Sequence, residues 1–419
     1  MPETFKAPSG THDVLPPDSL RWEALVASFA TLLDGAGFGL HLPPMFEDAA
    51  VFSRVGESTD VVRKEMYEFE DRGGRRLALR PEGTASVARA YTQHRPTVPW
   101  KVWYVGPNFR YERAQAGRYK QHHQVGAEVL GSGDPDVDVE VVSLLWDFLE
   151  GLGLTRLILL LNSLGDAVCR PAYLERLSRF LGERRSELCE EHRDRWSENP
   201  LRVLDCKREA CRQAAADAPR LVDHLCEPCR AHFDRVQSGL GLLGVPFALE
   251  PRLVRGLDYY TRTTFEIQAG SLDAAQNALG GGGRYDGLVE LLGGPPTPGI
   301  GFGSGIERIL LACTAEGVFP PPPRHLDAFV VDVAGGETAL TLTAELRRAG
   351  LRADRSFDSR SMKSQLKAAD RSGARLALIV GEQELGDKTV ALRDLREGEG
   401  RQEVVPRDTV VERVRSLTR

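Results

Sequence analysis

Apolar residues at Trp22, Leu25, Val26, Phe29, Leu32 and Leu33 recur at helical spacing. They predict a helix opened by Asp18 or Ser19 as cap and stopped by Gly35 and Gly37. Short β-like segments follow at Phe38–Leu42, Glu65–Glu70, Arg76–Arg80, Trp100–Phe109 and Gln124–Leu130. Val137–Leu152 then reads as a helix and Thr155–Leu161 as a buried strand. Strands clustered between a few helices predict an α+β domain rather than a doubly wound parallel sheet.

The pattern changes from Asp166 to about Phe247, which is rich in Arg, Glu and helix formers and lacks a strand-like run. Residues 166–248 are therefore expected to be a helical insertion dividing the domain into 1–165 and 249–319. Strand signals resume at Leu253–Tyr260 and Thr264–Ala269. Gly280–Gly283 and Gly299–Gly305 are expected to interrupt two further elements, before a helix at Ile306–Thr314. Four prolines, Pro320–Pro323, form a stiff linker. In 324–419, strands at Ala328–Val333, Leu376–Val380 and Thr389–Leu392 alternate with helical patterns at Glu337–Ala349, Ser361–Ser372 and Arg407–Leu417. That alternation predicts a separate α/β module.

With 42% hydrophobic and 27% charged residues among 419, the composition is that of an ordinary multidomain globular chain. No apolar run approaches the ~18 residues of a bilayer span, and the first thirty residues lack the basic and apolar regions of a secretory signal. A soluble cytoplasmic protein is expected. The net charge of −6 argues against indiscriminate coating of nucleic acid, but it is unevenly spread: residues 324–419 hold 18 basic and 16 acidic groups, and the rest hold 36 and 44. Local patches must decide whether a nucleic acid is a partner.

Gly106–Glu128 holds Arg110, Arg113, Arg118 and Lys120 against Glu112 between two strands. This suits either a solvated hairpin or one that handles phosphate, since a guanidinium fork matches phosphate oxygens. In Val254–Ile267, Arg255, Asp258 and Glu266 are awkward in a buried strand unless they face a polar cavity. Neither glycine run fits a dinucleotide or P-loop signature. Cys206, Cys211, Cys226 and Cys229 have C-x4-C and C-x2-C spacing, which zinc would suit. Buried free cysteine is a common alternative, and no metal is expected.

Taken in order, several motifs resemble those of the histidyl-tRNA synthetases, a branch of the class II aminoacyl-tRNA synthetases. They are Gly10-Thr11-x-Asp13, the PPMFED stretch around Pro44, Leu79–Thr84 (LRPEGT), FRYER at 109–113, and Gln124 with Glu128. RGLDYY at 255–260, GGGGRYDGL at 280–288 and GIGFGSGIERI at 299–309 complete the series. FRxER marks only the class; RGLDYY with LRPEGT is specific to the histidyl branch. The resemblance implies a catalytic domain built on an antiparallel sheet and a C-terminal anticodon-binding domain. It also implies ATP-dependent activation of histidine and transfer of histidine to the 3′ end of tRNA(His).

By the same resemblance, Glu82, Thr84 and Gln124 hold the α-amino and carboxylate end of histidine, while Glu128 and Tyr260, beside Tyr259, meet the imidazole. Arg110 faces the α-phosphate of ATP, Glu112 the adenine amino group, and Arg308 the γ-phosphate, with Mg²⁺ on the β- and γ-phosphates. Arg255 is the expected catalytic guanidinium, acting with Arg110. His122 stands where the family usually has Phe stacked on adenine, so protonation is expected to weaken ATP binding at low pH. Ala114 replaces a common Pro.

Arg113 and Gln115 are expected at the tRNA acceptor end. Arg360, Lys363 and Lys367 are expected to face tRNA from a helix whose other side carries Met362, Leu366 and Ala369. The span Arg347–Arg375 has nine basic residues against three acidic ones. The family is homodimeric through the strand around Pro44. The alternative is a non-catalytic, synthetase-like regulatory subunit of ATP phosphoribosyltransferase, a type that typically lacks the anticodon module and the ATP-site arginines.

Overall fold

The computed structural model describes residues 4–56, 59, 61–112, 117–204, 206, 208–254, 256–273, 276–323, 325–358, 360–396 and 402–418. Two compact units divide inside the proline run, Met1–Pro321 and Pro322–Arg419.

The first unit is built on an eight-stranded sheet. In spatial order its strands are Gly39–Leu40, Trp100–Phe109, Gln121–Leu130, Gly299–Gly305, Ala278–Arg284, Thr261–Ala269, Leu157–Ser163 and Ala248–Leu249. Only the two outermost pairings are parallel; the six long strands pair antiparallel throughout. Helix Asp18–Gly35 buries Leu25, Phe29 and Leu33. The Phe29 ring stands edge-on to Trp103, Phe148 and Phe302, joining this helix to the sheet and to helix Pro135–Gly151. Aromatic edges of this kind add specificity to the area they bury.

Three local expectations are corrected. Neither Asp18 nor Ser19 caps the first helix: Pro17 is the cap residue and makes no side-chain cap bond, while Asp18 lies in the first turn, where the helix dipole favours its charge. The described residues of Leu253–Tyr260 form no strand. The Asn162 side-chain amide donates to the carbonyls of Pro251 and Leu253, at 3.2 and 2.9 Å, in place of a ladder partner, and the strand begins at Thr261. The glycine runs do not interrupt elements; they are the two central strands of the sheet.

Between Ser163 and Ala248 the described residues are helical and contain no strand, with helices at Arg170–Glu183, Glu190–Arg195, Leu201–Leu204, Glu209–Ala214 and Glu227–Leu242. The last of these is tied to the sheet by a buried ionic cluster. His232 Nε2 lies 3.0 Å from Asp138 Oδ1, and the fully buried Arg284 donates to the same carboxylate. Burial alone would raise the Asp138 pKa, but these two partners hold it below the ordinary carboxylate value.

The second unit has a five-stranded sheet in the order Ala353–Arg355, Ala328–Asp332, Leu376–Val380, Thr389–Asp394, Gln402–Pro406, the first three parallel and the rest antiparallel. Val330, Leu378 and Leu392 pack on one face with Leu342, Leu346, Val410 and Val414. Phe329, Val331, Ala377 and Ile379 pack on the other with Ala369. Successive strand residues point to opposite sides, so these nearly continuous apolar runs mark a sheet covered on both faces.

Candidate active site

The antiparallel hairpin Trp100–Phe109 and Gln121–Leu130 places Tyr104 and Asn108 opposite Gly126 and His122. On the second strand Gln124, Gly126 and Glu128 share one face by the period-two rule. Gln124 is held by Asn108, whose Nδ2 donates to Gln124 Oε1 at 2.7 Å. Glu128 is fully buried and accepts three hydroxyls: Thr84 at 2.7 Å and Tyr104 at 3.2 Å on Oε1, and Tyr285 at 2.5 Å on Oε2. Burial dominates its titration and pushes the pKa up to about 8, against the opposing hydroxyl donors.

The glycines explain how so many large groups share one layer. A Cβ on Gly301, which pairs with Glu128, would lie 1.6 Å from Glu128 Oε2. One on Gly126 would lie 2.3 Å from the Tyr104 ring. Only a bare backbone admits the carboxylate and the phenol at these two points.

Glu82 stands before helix Thr84–His94 and accepts the backbone N–H groups of Thr84 and Ala85 at 2.6 and 2.8 Å. The carboxylate meets the positive end of that helix, yet burial still leaves its pKa raised. Tyr259 and Tyr260 are buried with ring centroids 4.6 Å apart, and Tyr259 stands edge-on to Tyr285. The residues expected to recognise histidine lie near one another: Glu82, Thr84 and Glu128 are linked by hydrogen bonds, Gln124 shares the strand face of Glu128, and Tyr259 reaches Glu128 through Tyr285.

Beyond Gln124, Arg110 donates from Nε to the Pro81 carbonyl at 2.9 Å. The Glu112 carboxylate is paired with Arg118 and lies 3.9 Å from Arg110. Arg308 is braced by the carbonyls of Gly117 and Ala278 at 3.1 and 3.0 Å. His122 is corrected in one respect. Burial first, then the neighbouring Arg110, His123 and Arg308, push its pKa down to about 3, so the ring is neutral across the physiological range and protonation does not weaken the site there.

Arg255, Arg113 and Gln115 lie outside the described residues. In the second unit Arg360, Lys363 and Lys367 are all exposed, but Arg360 precedes helix Met362–Arg371 and pairs with Asp358 at 3.3 Å. Met362 is 41% exposed and does not belong to the packed side; Gln365 takes that place. Its side chain bonds the backbone N–H and carbonyl of Asp332 at 3.1 and 2.8 Å and the Arg360 carbonyl at 2.7 Å. Tyr104, Asn108 and Tyr285 went unread in the sequence. The signals were Tyr104 and Asn108 at even spacing on a β-like segment and Tyr285 inside the GGGGRYDGL motif, none of them given a role.

An antiparallel sheet with a buried polar pocket, joined through a proline linker to a small α/β module, is the architecture of a class II-type synthetase. Residues 10–309 match the family model for histidyl-tRNA synthetase, and residues 327–417 match that of an anticodon binding domain. A protein from Rhodococcus erythropolis named histidine–tRNA ligase is 50% identical over 420 residues, covering 99% of this chain and 98% of its own. One of the same name from Natranaerobius thermophilus is 47% identical, covering 98% and 99%. The apo crystal structure of Staphylococcus aureus histidyl-tRNA synthetase superposes with a TM-score of 0.83 at 37% identity, covering 98% of this chain and all of that one. The chain belongs to the histidyl-tRNA synthetase family.

Proposed function

We propose that the chain activates histidine with ATP and charges tRNA(His). The observation that carries this reading is the buried Glu128 carboxylate, ringed by hydroxyls beside Gln124 and the tyrosines. A carboxylate offers about four acceptor sites and the three hydroxyls occupy three, so one remains for an N–H donor, and a side chain that lacks one forfeits that bond. Glu128 takes one imidazole N–H and Tyr260 meets the other ring nitrogen, with Tyr259 packed behind. Glu82, Thr84 and Gln124 orient the amino-acid end.

The histidine carboxylate then attacks the α-phosphorus of ATP in line. A new O–P bond forms, the α–β bridge breaks, and pyrophosphate leaves with the electron pair. Arg110 and Arg255 stabilise charge on the non-bridging oxygens, Arg308 holds the γ-phosphate, and Glu112 and His122 seat the adenine. Bound with ATP, Mg²⁺ would neutralise phosphate charge, and the Glu266 carboxylate, close enough to act on Arg308 electrostatically, is a hard oxygen donor of the kind that would hold it. The terminal ribose hydroxyl of the tRNA next attacks the adenylate carbonyl and releases AMP. Arg113 and Gln115 meet the acceptor end, and Arg360, Lys363 and Lys367 meet the anticodon arm.

A cytoplasmic homodimer is the assembly proposed. Leu40, Leu42, Met45 and Phe46, on either side of Pro43-Pro44, are 53%, 70%, 54% and 52% exposed, a concentration of apolar surface that suits a partner subunit. Among the described residues no helix is long and apolar enough to cross a membrane.

Histidine-dependent exchange of radiolabelled pyrophosphate into ATP tests the activity. Arg255→Ala should slow single-turnover adenylate formation by ~10²–10³-fold, the usual loss of one preorganised donor. Absence of exchange in the unsubstituted protein would return the regulatory alternative, which the presence of the anticodon module disfavours.

A further inference from the structure

Six of the seven cysteines fall within residues 166–248. The four grouped by spacing do not come together as a set. Cys206 and Cys211 meet Cys189 and His192, while Cys226 and Cys229 meet Cys169 and Asp166. In each quartet one ligand atom from every residue lies within 4.8 Å of the others. In the first, Cys189 Sγ is 3.3 Å from His192 Nδ1 and 4.0 Å from Cys206 Sγ, and Cys211 Sγ is 3.7 Å from the same nitrogen. In the second, Asp166 Oδ1 is 3.4 Å from Cys169 Sγ and 3.8 Å from Cys226 Sγ. A zinc tetrahedron with bonds of ~2.3 Å has edges of ~3.8 Å. All of these thiols are free, and the 4.0 Å between Cys189 and Cys206 is about twice a disulfide bond.

We propose that the helical insertion holds two structural zinc ions in nested sites, an inner Cys189-His192-Cys206-Cys211 site and an outer Asp166-Cys169-Cys226-Cys229 site. Packing alone gathers sulfurs among apolar neighbours; it gives no reason to aim an imidazole nitrogen at two thiols, or a carboxylate at two others. Each set supplies four protein ligands of the types zinc takes, which marks a closed structural centre rather than a catalytic one. The outer set carries a formal charge of −2 once its three thiols are deprotonated around Zn²⁺, and Arg262, 3.7 Å from Asp166, supplies a counter-charge. Cys226 and Cys229 sit at the cap and third position of helix Glu227–Leu242, where the helix dipole favours thiolate. Metal also answers a folding need. Leu201–Leu204, Glu190–Arg195 and Glu209–Ala214 are four to six residues long, too short to persist alone, and two ions would close 166–229 around 189–211.

Elemental analysis of the full-length protein, expressed with zinc and dialysed into zinc-free buffer, should find two zinc ions per chain. Cys211→Ser and Cys226→Ser should each leave one. His192→Cys should keep two, whereas His192→Ala should lose the inner ion. Should the serine variants fail to fold, the unsubstituted protein still decides: a mercurial should release two zinc ions as six thiols are blocked, and Co²⁺ exchange should give the visible bands of tetrahedral thiolate coordination. Metal-free protein that is fully folded, with thiols freely reactive, would overturn the proposal. One ion lost only in Cys211→Ser would uphold the inner site and overturn the outer.

Discussion

Glu128→Gln separates recognition of histidine from the integrity of the pocket. The carboxylate accepts from Thr84, Tyr104 and Tyr285, and glutamine keeps its shape but offers one acceptor oxygen and one amide donor. The three hydroxyls can rotate to receive that donor, so folding should suffer by only ~1 kcal/mol. Above pH ~8, where Glu128 is ionised, histidine loses a charge-assisted bond worth ~1.5–3 kcal/mol, or about 10- to 150-fold in affinity. Pyrophosphate exchange at varied histidine should therefore show KM raised within that range, with KM for ATP unchanged. The stability of the variant has its own signature. Because Glu128 is raised to about 8 in the folded chain from an unfolded value near 4.5, its contribution is full below pH ~4.5 and is lost as pH rises through 8. Glutamine removes that slope, so Tm measured from pH 5 to 8.5 should shift in the variant's favour as pH increases. Equal losses for histidine and ATP, or a collapse in Tm at every pH, would refute this account and make Glu128 a structural brace.

His122→Phe should leave the pH profile of KM for ATP parallel to that of the unsubstituted chain from pH 5.5 to 8, because the imidazole titrates only near pH 3; divergence near pH 6 would show a charged ring. Its neutral form favours the fold above pH ~6.5 and that contribution fades as pH falls toward 3, so the phenylalanine variant should gain relative acid stability in the same window. Gly301→Ala forces a methyl against Glu128 Oε2, which should cost ~1–3 kcal/mol in thermal or urea unfolding and raise KM for histidine together with the loss of stability. Replacing Arg360, Lys363 and Lys367 with Ala should weaken tRNA binding and flatten its log–log salt slope by ~2 for contacts to single-stranded phosphate, with pyrophosphate exchange intact; an unchanged slope places the contact elsewhere.

Much of the fold was legible because period and punctuation agreed. The helix begun at Asp18, the hairpin ending at Leu130 and three of the five strands of the second unit follow directly from apolar spacing; the edge strands Ala353–Arg355 and Gln402–Pro406 do not. What failed was local and had local causes. Leu253–Tyr260 has the composition of a strand, but its first carbonyl, that of Leu253, is taken by Asn162 from 91 residues away, a partnership no window of sequence contains. The cysteines were grouped by spacing along the chain, whereas the helices of the insertion sort them by space. Met362 was assigned to the packed side of its helix as an apolar residue, and Gln365 holds the position because three backbone groups there need a side-chain partner.

The glycine strands carry a wider point about how such a pocket can exist. Glycine lowers strand propensity and costs ~0.5–1 kcal/mol in backbone entropy at each position, which is why the runs at 280–283 and 299–305 read as breaks. A sheet face built of ordinary residues would fill the layer above it with Cβ atoms and leave no depth for Glu128, Tyr104 and Tyr285 at once. The missing Cβ atoms of Gly126, Gly299 and Gly301, on adjoining strands, let Tyr104, Tyr285 and Glu128 lie close against the backbone, and the long antiparallel registers on either side keep the weakened strands in place. The glycines therefore act through space, by leaving room for the side chains proposed to recognise histidine. Motif reading assigned roles only to side chains that would contact histidine, ATP or tRNA. It had no means of weighing residues whose contribution is an absent methyl.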